Sequence, residues 1–183
     1  MQRRKFLTGL GALGVSGIIG AAEQSAPLRG PDVIYVPTPN ETVDAMLKLA
    51  GVTRKDTVYD LGCGDGRIVI TAAQKYGARG VGIDIDPERV KDANENVGKS
   101  GVADRVKIIR GDLFEADISA ATVVTLYLLT DLNLKLRPKL LKDLNPGTRI
   151  VSHAFSMGDW KPERTAEVAG STVYLWRIPP RAA

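Results

Sequence analysis

Four aspartates and three glycines carry the chemistry that can be read from this chain. In Val58-Tyr59-Asp60-Leu61-Gly62-Cys63-Gly64-Asp65-Gly66-Arg67 a short apolar run ends in Asp60, and Gly62, Gly64 and Gly66 follow at alternate positions before a helical pattern begins. Glycines at a strand-to-helix turn allow backbone conformations closed to other residues and let a ligand approach the main chain. The helix behind the turn offers free N–H groups. The dinucleotide-binding spacing G-x-G-x-x-G/A fails, because its third small position is Arg67. Charge argues the same way: Asp60 at the strand tip and Asp65 in the loop disfavour a pyrophosphate and favour a cation. Asp84 closes a second apolar run 20 residues past Gly64, where an acid can bond both hydroxyls of a ribose. Ile85 follows it. Asp112, after a third run, is placed to accept from an adenine amine, with Leu113 or Phe114 over the ring.

The elements that must hold these residues alternate. Residues 23–37 read as a linker and a leading strand, since Pro27, Pro31 and Pro37 prevent a helix. A helix runs from near Pro39 to Ala50, with Val43, Met46, Leu47 and Ala50 as its apolar stripe. Tyr35 and Thr38 precede it, as a packed aromatic and an N-cap or as a lid over the bound ligand. Strands are predicted over 58–61, 80–84, 105–110, 121–126 and 148–153. Helices are predicted over 67–76, 87–97 and 131–144, and a hairpin over 165–178. Five alternations followed by a hairpin imply an α/β fold: a doubly wound, mostly parallel seven-stranded Rossmann-like sheet with an antiparallel edge strand. In such a sheet ligands bind beyond the carboxyl ends of the strands. Asp60, Asp84, Asp112 and Tyr127 all fall at such ends, so one ligand could touch all four.

S-adenosylmethionine (SAM) carries a sulfonium and an ammonium beside an adenosine, and the segments Asp60 to Gly66, Gly82 to Asp86 and Gly111-Asp112 resemble the first three motifs of class I SAM-dependent methyltransferases. More narrowly, Gly64-Asp65-Gly66-Arg67-Ile68-Val69, Leu134-Lys135-Leu136-Arg137-Pro138-Lys139-Leu140 and Phe155 to Pro162 are similar to the ATP synthase c-subunit lysine methyltransferase family and its prokaryotic relatives. That resemblance implies SAM as cofactor, a class I fold, and methyl transfer to a lysine amine of a protein. The family commonly has Glu at the ribose position, where this chain has the shorter Asp84. The expected cofactor-binding set is Tyr35, Thr38, Asp60, Gly62, Cys63, Gly64, Asp65, Gly66, Asp84, Ile85, Asp112, Leu113 and Tyr127. Tyr127 and Trp160, with Phe155, are expected to line an acceptor channel. His153, the one histidine, reads as a structural residue or a general base. Alternatives are a small-molecule methyl or aminopropyl transferase, similar in its glycine loop to spermidine synthases, or a SAM-binding scaffold without turnover.

Composition narrows the partners. The 183 residues suit one domain, here residues 38–183, and the net charge of +4 includes Arg3, Arg4 and Lys5, so only +1 remains beyond them. Neither a basic stripe nor aromatic interleaving points to nucleic acid. The single Cys63 excludes an internal disulfide and reads as a small space-filler in the loop; no metal site is expected. Residues 1–22 stand apart: Arg3-Arg4-Lys5-Phe6-Leu7 precedes an uncharged Gly/Ala-rich run to Ala22. This is the shape of a secretory signal of the twin-arginine kind, or of an N-terminal anchor through residues 6–22, and it implies export or membrane attachment on the periplasmic side, or a cytoplasmic protein where the leader is not used. A reporter fused to residues 1–30 is expected to be exported only when both Arg3 and Arg4 are present; cytoplasmic retention of the unmodified fusion would refute the signal.

Overall fold

The structure, a computed structural model, describes residues 28–32 and 34–181. The leader and residues 23–27 lie outside the described residues. The chain order is α1 (Asn40–Leu49), β1 (Thr57–Leu61), α2 (Arg67–Tyr76), β2 (Arg79–Asp84), α3 (Pro87–Ser100), β3 (Val106–Arg110), β4 (Val123–Leu126), α4 (Thr130–Asp143), β5 (Arg149–His153), β6 (Arg164–Val168) and β7 (Ser171–Arg177). Among the described residues no helix is long and apolar enough to cross a membrane.

One seven-stranded sheet has the order β3-β2-β1-β4-β5-β7-β6. Strands β1 to β5 are mutually parallel, and β7 runs against both β5 and β6. The antiparallel edge is therefore a hairpin: β7 reverses direction and β6 lies outside it. All four residues of β4 are buried, as a central parallel strand covered on both faces requires. Chain order reverses between β1 and β4, where Asp60 pairs with Thr125 and Leu61 with Leu126. A crevice opens at that point of a doubly wound sheet. Val43, Met46 and Leu47 of α1 and Ile68 and Ala72 of α2 pack with Val58, Val123 and Val151, whereas Leu136, Leu140 and Leu144 pack with Val124, Leu126, Ile150 and Trp176 around α4.

Two expectations need correction. The described part of residues 23–37 forms no strand. Its prolines cannot donate to a ladder, and the segment passes over the carboxyl ends of the strands instead. The strand–helix alternation also breaks between β3 and β4, which are joined by turns around Asp112 whose carbonyl accepts from Glu115 and Ala116 N–H (3.0 and 2.9 Å). Leu113, Phe114 and Ile118 of this connection supply apolar packing that a helix would otherwise bring.

The glycine loop is stapled to β2, since Gly62 and Cys63 N–H both donate to the Ile83 carbonyl (2.8 and 3.0 Å). Gly82 makes room for it: a Cβ there would lie 2.8 Å from Cys63 Sγ and 2.8 Å from Ile108 Cδ1. Cys63 thus fills space against β2, and burial holds its thiol above the ordinary range, protonated. Asp86 caps α3 by accepting from Glu88 N–H (2.8 Å), with Pro87 at the first helical position. Two glycine substitutions should act in opposite directions. Gly82→Ala is expected to cost about 1–3 kcal/mol through overpacking. Gly98→Ala, in α3 with open space around it, should gain about 0.5–1 kcal/mol from helix propensity. Urea unfolding midpoints read both; a neutral Gly82→Ala would contradict the close loop–strand contact.

Candidate active site

Asp60 is the last polar group of β1 before the loop turns, and the turn buries it to 2 % exposure. Thr125 Oγ1, from the adjacent strand, donates to its Oδ1 at 2.8 Å. Burial, with the nearby charges of Asp84 and Asp65, outweighs that bond and pushes the Asp60 carboxyl up to about 7. Among the described residues no cation pairs with it. A buried carboxylate without a counter-charge is a demand for a cationic ligand.

The loop that follows shapes the site. Gly62, Gly64 and Gly66 have φ of +83°, +54° and +79°, the left-handed region that favours glycine. Asp84, at the end of β2, accepts from Gly64 N–H through Oδ2 (2.8 Å) and from Asp86 N–H through Oδ1 (3.0 Å). It therefore braces the loop and faces the cleft at once, since each oxygen has a second lone pair. Ile85 lines the wall beside it, with Leu113 from the β3–β4 connection. The cleft is open at its mouth and is lined by the ends of β1 and β2, the glycine loop and the β3–β4 connection. No group of three or more metal-ligating side chains occurs among the described residues.

Residues 29–32 and 34–38 form a strap across this cleft. Arg29 donates to both oxygens of Asp112 through Nε and Nη2 (2.6 and 3.0 Å) and also pairs with Asp32 (2.5 Å). Arg29 (5.3 Å) and Lys135 (4.3 Å) both lie over the Phe114 ring. Tyr35 rests on the glycine loop so closely that a Cβ on Gly64 would come within 2.2 Å of its ring, and Arg89 covers the ring at 5.0 Å. Arg67, the residue that broke the dinucleotide spacing, grips Asp65 through Nη2 (2.6 Å) and donates through Nη1 to the Thr38 carbonyl (2.9 Å).

Several expectations change. The Asp112 carboxylate, read as an adenine contact, is engaged by Arg29 and by Phe114 N–H (2.9 Å). Thr38 is buried but caps nothing, since Pro39 holds the N-cap position of α1 without a side-chain bond. A side chain on Gly64 would collide with Tyr35 before meeting any ligand. Trp160 does not line the cleft: it packs on Trp176, with ring centroids 6.1 Å apart, and its carbonyl accepts from Trp176 Nε1 (2.7 Å). The Tyr127–Trp160 channel is thus not formed. Tyr127 stacks instead on His153 (3.9 Å) and near Phe155 (6.0 Å). Asp60, Gly62, Cys63, Asp65, Asp84, Ile85, Asp112, Leu113 and Tyr127 do converge on the cleft with Tyr35 and Thr38. Gly64 and Gly66 lie behind this lining, under Tyr35 and at the head of α2. Arg29, Arg67, Arg89, Leu128 and Leu132 were missed. Only Arg67 carried a signal, its place inside the loop.

The aromatic group hangs on a tight turn. Phe155 N–H donates to the His153 carbonyl (2.8 Å) around Ala154, which has φ of +63°. A γ-turn of this hand on a residue with a Cβ costs of order 1–3 kcal/mol. Asn133, fully buried in α4, holds the segment by donating to the carbonyls of Phe155 and Ser156 (3.2 and 3.3 Å).

The Asp60 carboxyl supplies a pH test. Its folded value lies above the ordinary one, so between about pH 4 and 7 the free protein holds an extra proton and loses stability as pH rises. A sulfonium-bearing ligand binds the ionised form, so its affinity should rise about tenfold from pH 6 to pH 8. Asp60→Asn should flatten that dependence and weaken binding at pH 8. Calorimetric affinities that do not change with pH in the parent protein would refute the assignment.

Comparison with known proteins agrees with this geometry. The family model described as the ANTKMT methyltransferase domain matches residues 60–164, more than half of the chain. A protein-lysine N-methyltransferase of Saccharolobus islandicus is 50% identical over 153 residues, 81% of this chain and 95% of that protein. The human lysine N-methyltransferase of the ATP synthase c-subunit is 27% identical over 173 residues, 93% of this chain and 73% of that protein. A solved structure described as an RNA methyltransferase from Salinibacter ruber, in complex with S-adenosyl-L-homocysteine, is 60% identical; it covers 81% of this chain and 97% of its own, with a TM-score of 0.79. The acid at the reversal of strand order calls for a cation, and the matches supply the same reading from outside: the chain belongs to the ANTKMT methyltransferase domain family and is a SAM-dependent class I methyltransferase.

Proposed function

We propose that this enzyme transfers the methyl group of SAM to a lysine side chain of a protein. The observation that carries the proposal is the charge of the cleft. Six aspartates line it against three arginines. Each arginine is already paired with a carboxylate: Arg29 with Asp112 and Asp32, Arg67 with Asp65, and Arg89 with Asp92. An acidic surround draws a lysine ammonium towards the cleft and repels a polyanion. The similarity to curated lysine methyltransferases supports the same reading. RNA is the second reading, because the Salinibacter ruber protein is described as acting on it. RNA binding requires lysines and arginines free to meet phosphates, and among the described residues no lysine lines this cleft.

When bound, SAM supplies a methyl already activated by its sulfonium. The chain has three tasks around it. Asp60, buried and without a counter-charge among the described residues, would hold the positive charge of the cofactor and so fix its position. Leu128, Leu132 and the Tyr127 ring form an apolar wall at the carboxyl end of β4; such a wall disfavours an ammonium and so promotes the neutral amine that can attack. Alignment of the amine with the methyl then supplies most of the rate. Attachment to a membrane through residues 6–22 belongs to the same proposal and rests on sequence alone.

Incubation with methyl-labelled SAM, cell-lysate protein and total RNA, followed by mass spectrometry of the digests, separates the readings. Label on protein lysines, increasing as pH rises towards the amine pKa, is expected. Label confined to RNA would establish the second reading. Label on free metabolites would move the activity to small molecules, and SAM binding without any transfer would make the chain a scaffold.

A further inference from the structure

Arg29 stands where the sequence placed an adenine contact. Its guanidinium donates to both oxygens of Asp112, through Nε to Oδ2 (2.6 Å) and through Nη2 to Oδ1 (3.0 Å). The same group lies over the Phe114 ring, 5.3 Å from its centroid. Arg29, Asp112 and Leu113 all line the cleft. A carboxylate offers about four lone-pair sites. Phe114 N–H takes one on Oδ1 (2.9 Å) and Arg29 takes one on each oxygen. A further donor therefore meets a carboxylate that is nearly full and a space already occupied. A guanidinium is flat, donates in its own plane and stacks on other flat groups. The amine edge and ring of an adenine present the same shape and the same donors.

We propose that Arg29 is a built-in competitor of the cofactor's adenine, and that SAM binds by displacing it from Asp112. The inference rests on the cofactor and not on the identity of the methyl acceptor. Displacement asks little of the rest of the chain. Tyr35 on Gly64 and the Arg67 bond to the Thr38 carbonyl (2.9 Å) hold the other end of the strap, so residues 29–32 can swing aside alone. The displaced guanidinium is not left bare, because Arg29 Nη1 already pairs with Asp32 (2.5 Å) within the same short segment. The latch sets a threshold. Asp112 is open to adenine only in the fraction of molecules whose latch is undone, and the apparent affinity falls by that fraction. S-adenosylhomocysteine carries the same adenine, so Arg29 competes with the product as it does with the cofactor and favours its departure.

The test is calorimetric binding of SAM and of S-adenosylhomocysteine to the full chain, with Arg29→Ala and Arg29→Gln as variants. Both variants should unfold at parent-like urea concentrations, because the ion pair is partly exposed. Both should bind each ligand about three- to tenfold more tightly than the parent. The gain should shrink as salt is raised, since screening loosens the latch in the parent. In an Asp112→Asn background, where the latch has lost its carboxylate, Arg29→Ala should change affinity by less than about twofold. Unchanged or weaker binding in the two variants overturns the inference, the weaker case marking Arg29 as a residue that holds the cofactor. A gain for SAM that S-adenosylhomocysteine does not share also overturns it, because it reports only the removal of a positive charge near a sulfonium. So does a gain that persists undiminished in the Asp112→Asn background. Loss of stability in both variants marks the pair as structural and overturns the inference as well.

Discussion

A carboxylate without a counter-charge sits at the centre of this protein. Asp60 lies where strand order reverses between β1 and β4, on the strand flanked by β2 and β4, and is almost wholly removed from water. Nothing in the described protein neutralises it; Thr125 gives a single hydrogen bond, and Asp84 and Asp65 add negative charge. Such an arrangement costs folding free energy in the free protein and returns it when a cation arrives. The left-handed glycines, the small Gly82 behind the loop and the double brace of Asp84 give that cation a way close to the backbone. The fold therefore stores at β1 the selectivity that separates a sulfonium cofactor from a dinucleotide.

The strap of residues 29–32 and 34–38, met by Arg67 of α2 and Arg89 of α3, completes the cleft. Arg29 closes on Asp112, Arg67 ties Asp65 to the Thr38 carbonyl, and Arg89 lies over the Tyr35 ring. Surface ion pairs contribute little individually. Their value here is geometric: three arginines from separate parts of the chain set where the strap runs and leave Asp60 unpaired. Tyr35 seated on Gly64 makes the glycine loop an internal packing contact, so one Cβ there would displace the strap.

Beyond the cofactor end, the surface changes character. Tyr127, Leu128 and Leu132 present apolar and aromatic faces, and His153 and Phe155 lie around the tyrosine ring. Acids surround the cleft and uncharged groups line its far end, which suits an amine that must arrive as a cation and react as a base. The same division of labour disfavours an RNA acceptor, whose phosphates would meet aspartates and arginines already engaged.

Sequence by itself determined the acids at strand ends, the glycine loop, the alternating elements and the failure of the dinucleotide spacing. These are local signals: periodicity, turn chemistry and residue types at fixed offsets, which depend on neighbours along the chain. They sufficed to place the sheet and the ends of most helices. Tertiary structure alone decided what depends on residues far apart in the chain. The Arg29–Asp112 pair spans 83 positions and the Asp60–Thr125 bond 65, so no local pattern could reveal them. Trp160 looked like an acceptor residue because it is aromatic and follows β5, but its ring is claimed by Trp176 from the reversed strand β7. His153 looked structural because a lone histidine at a strand end usually is; only the packed sheet shows its nitrogen buried and unpaired against Tyr127. Side-chain partners across a sheet are set by strand order and register, and those emerge only when the whole chain has folded.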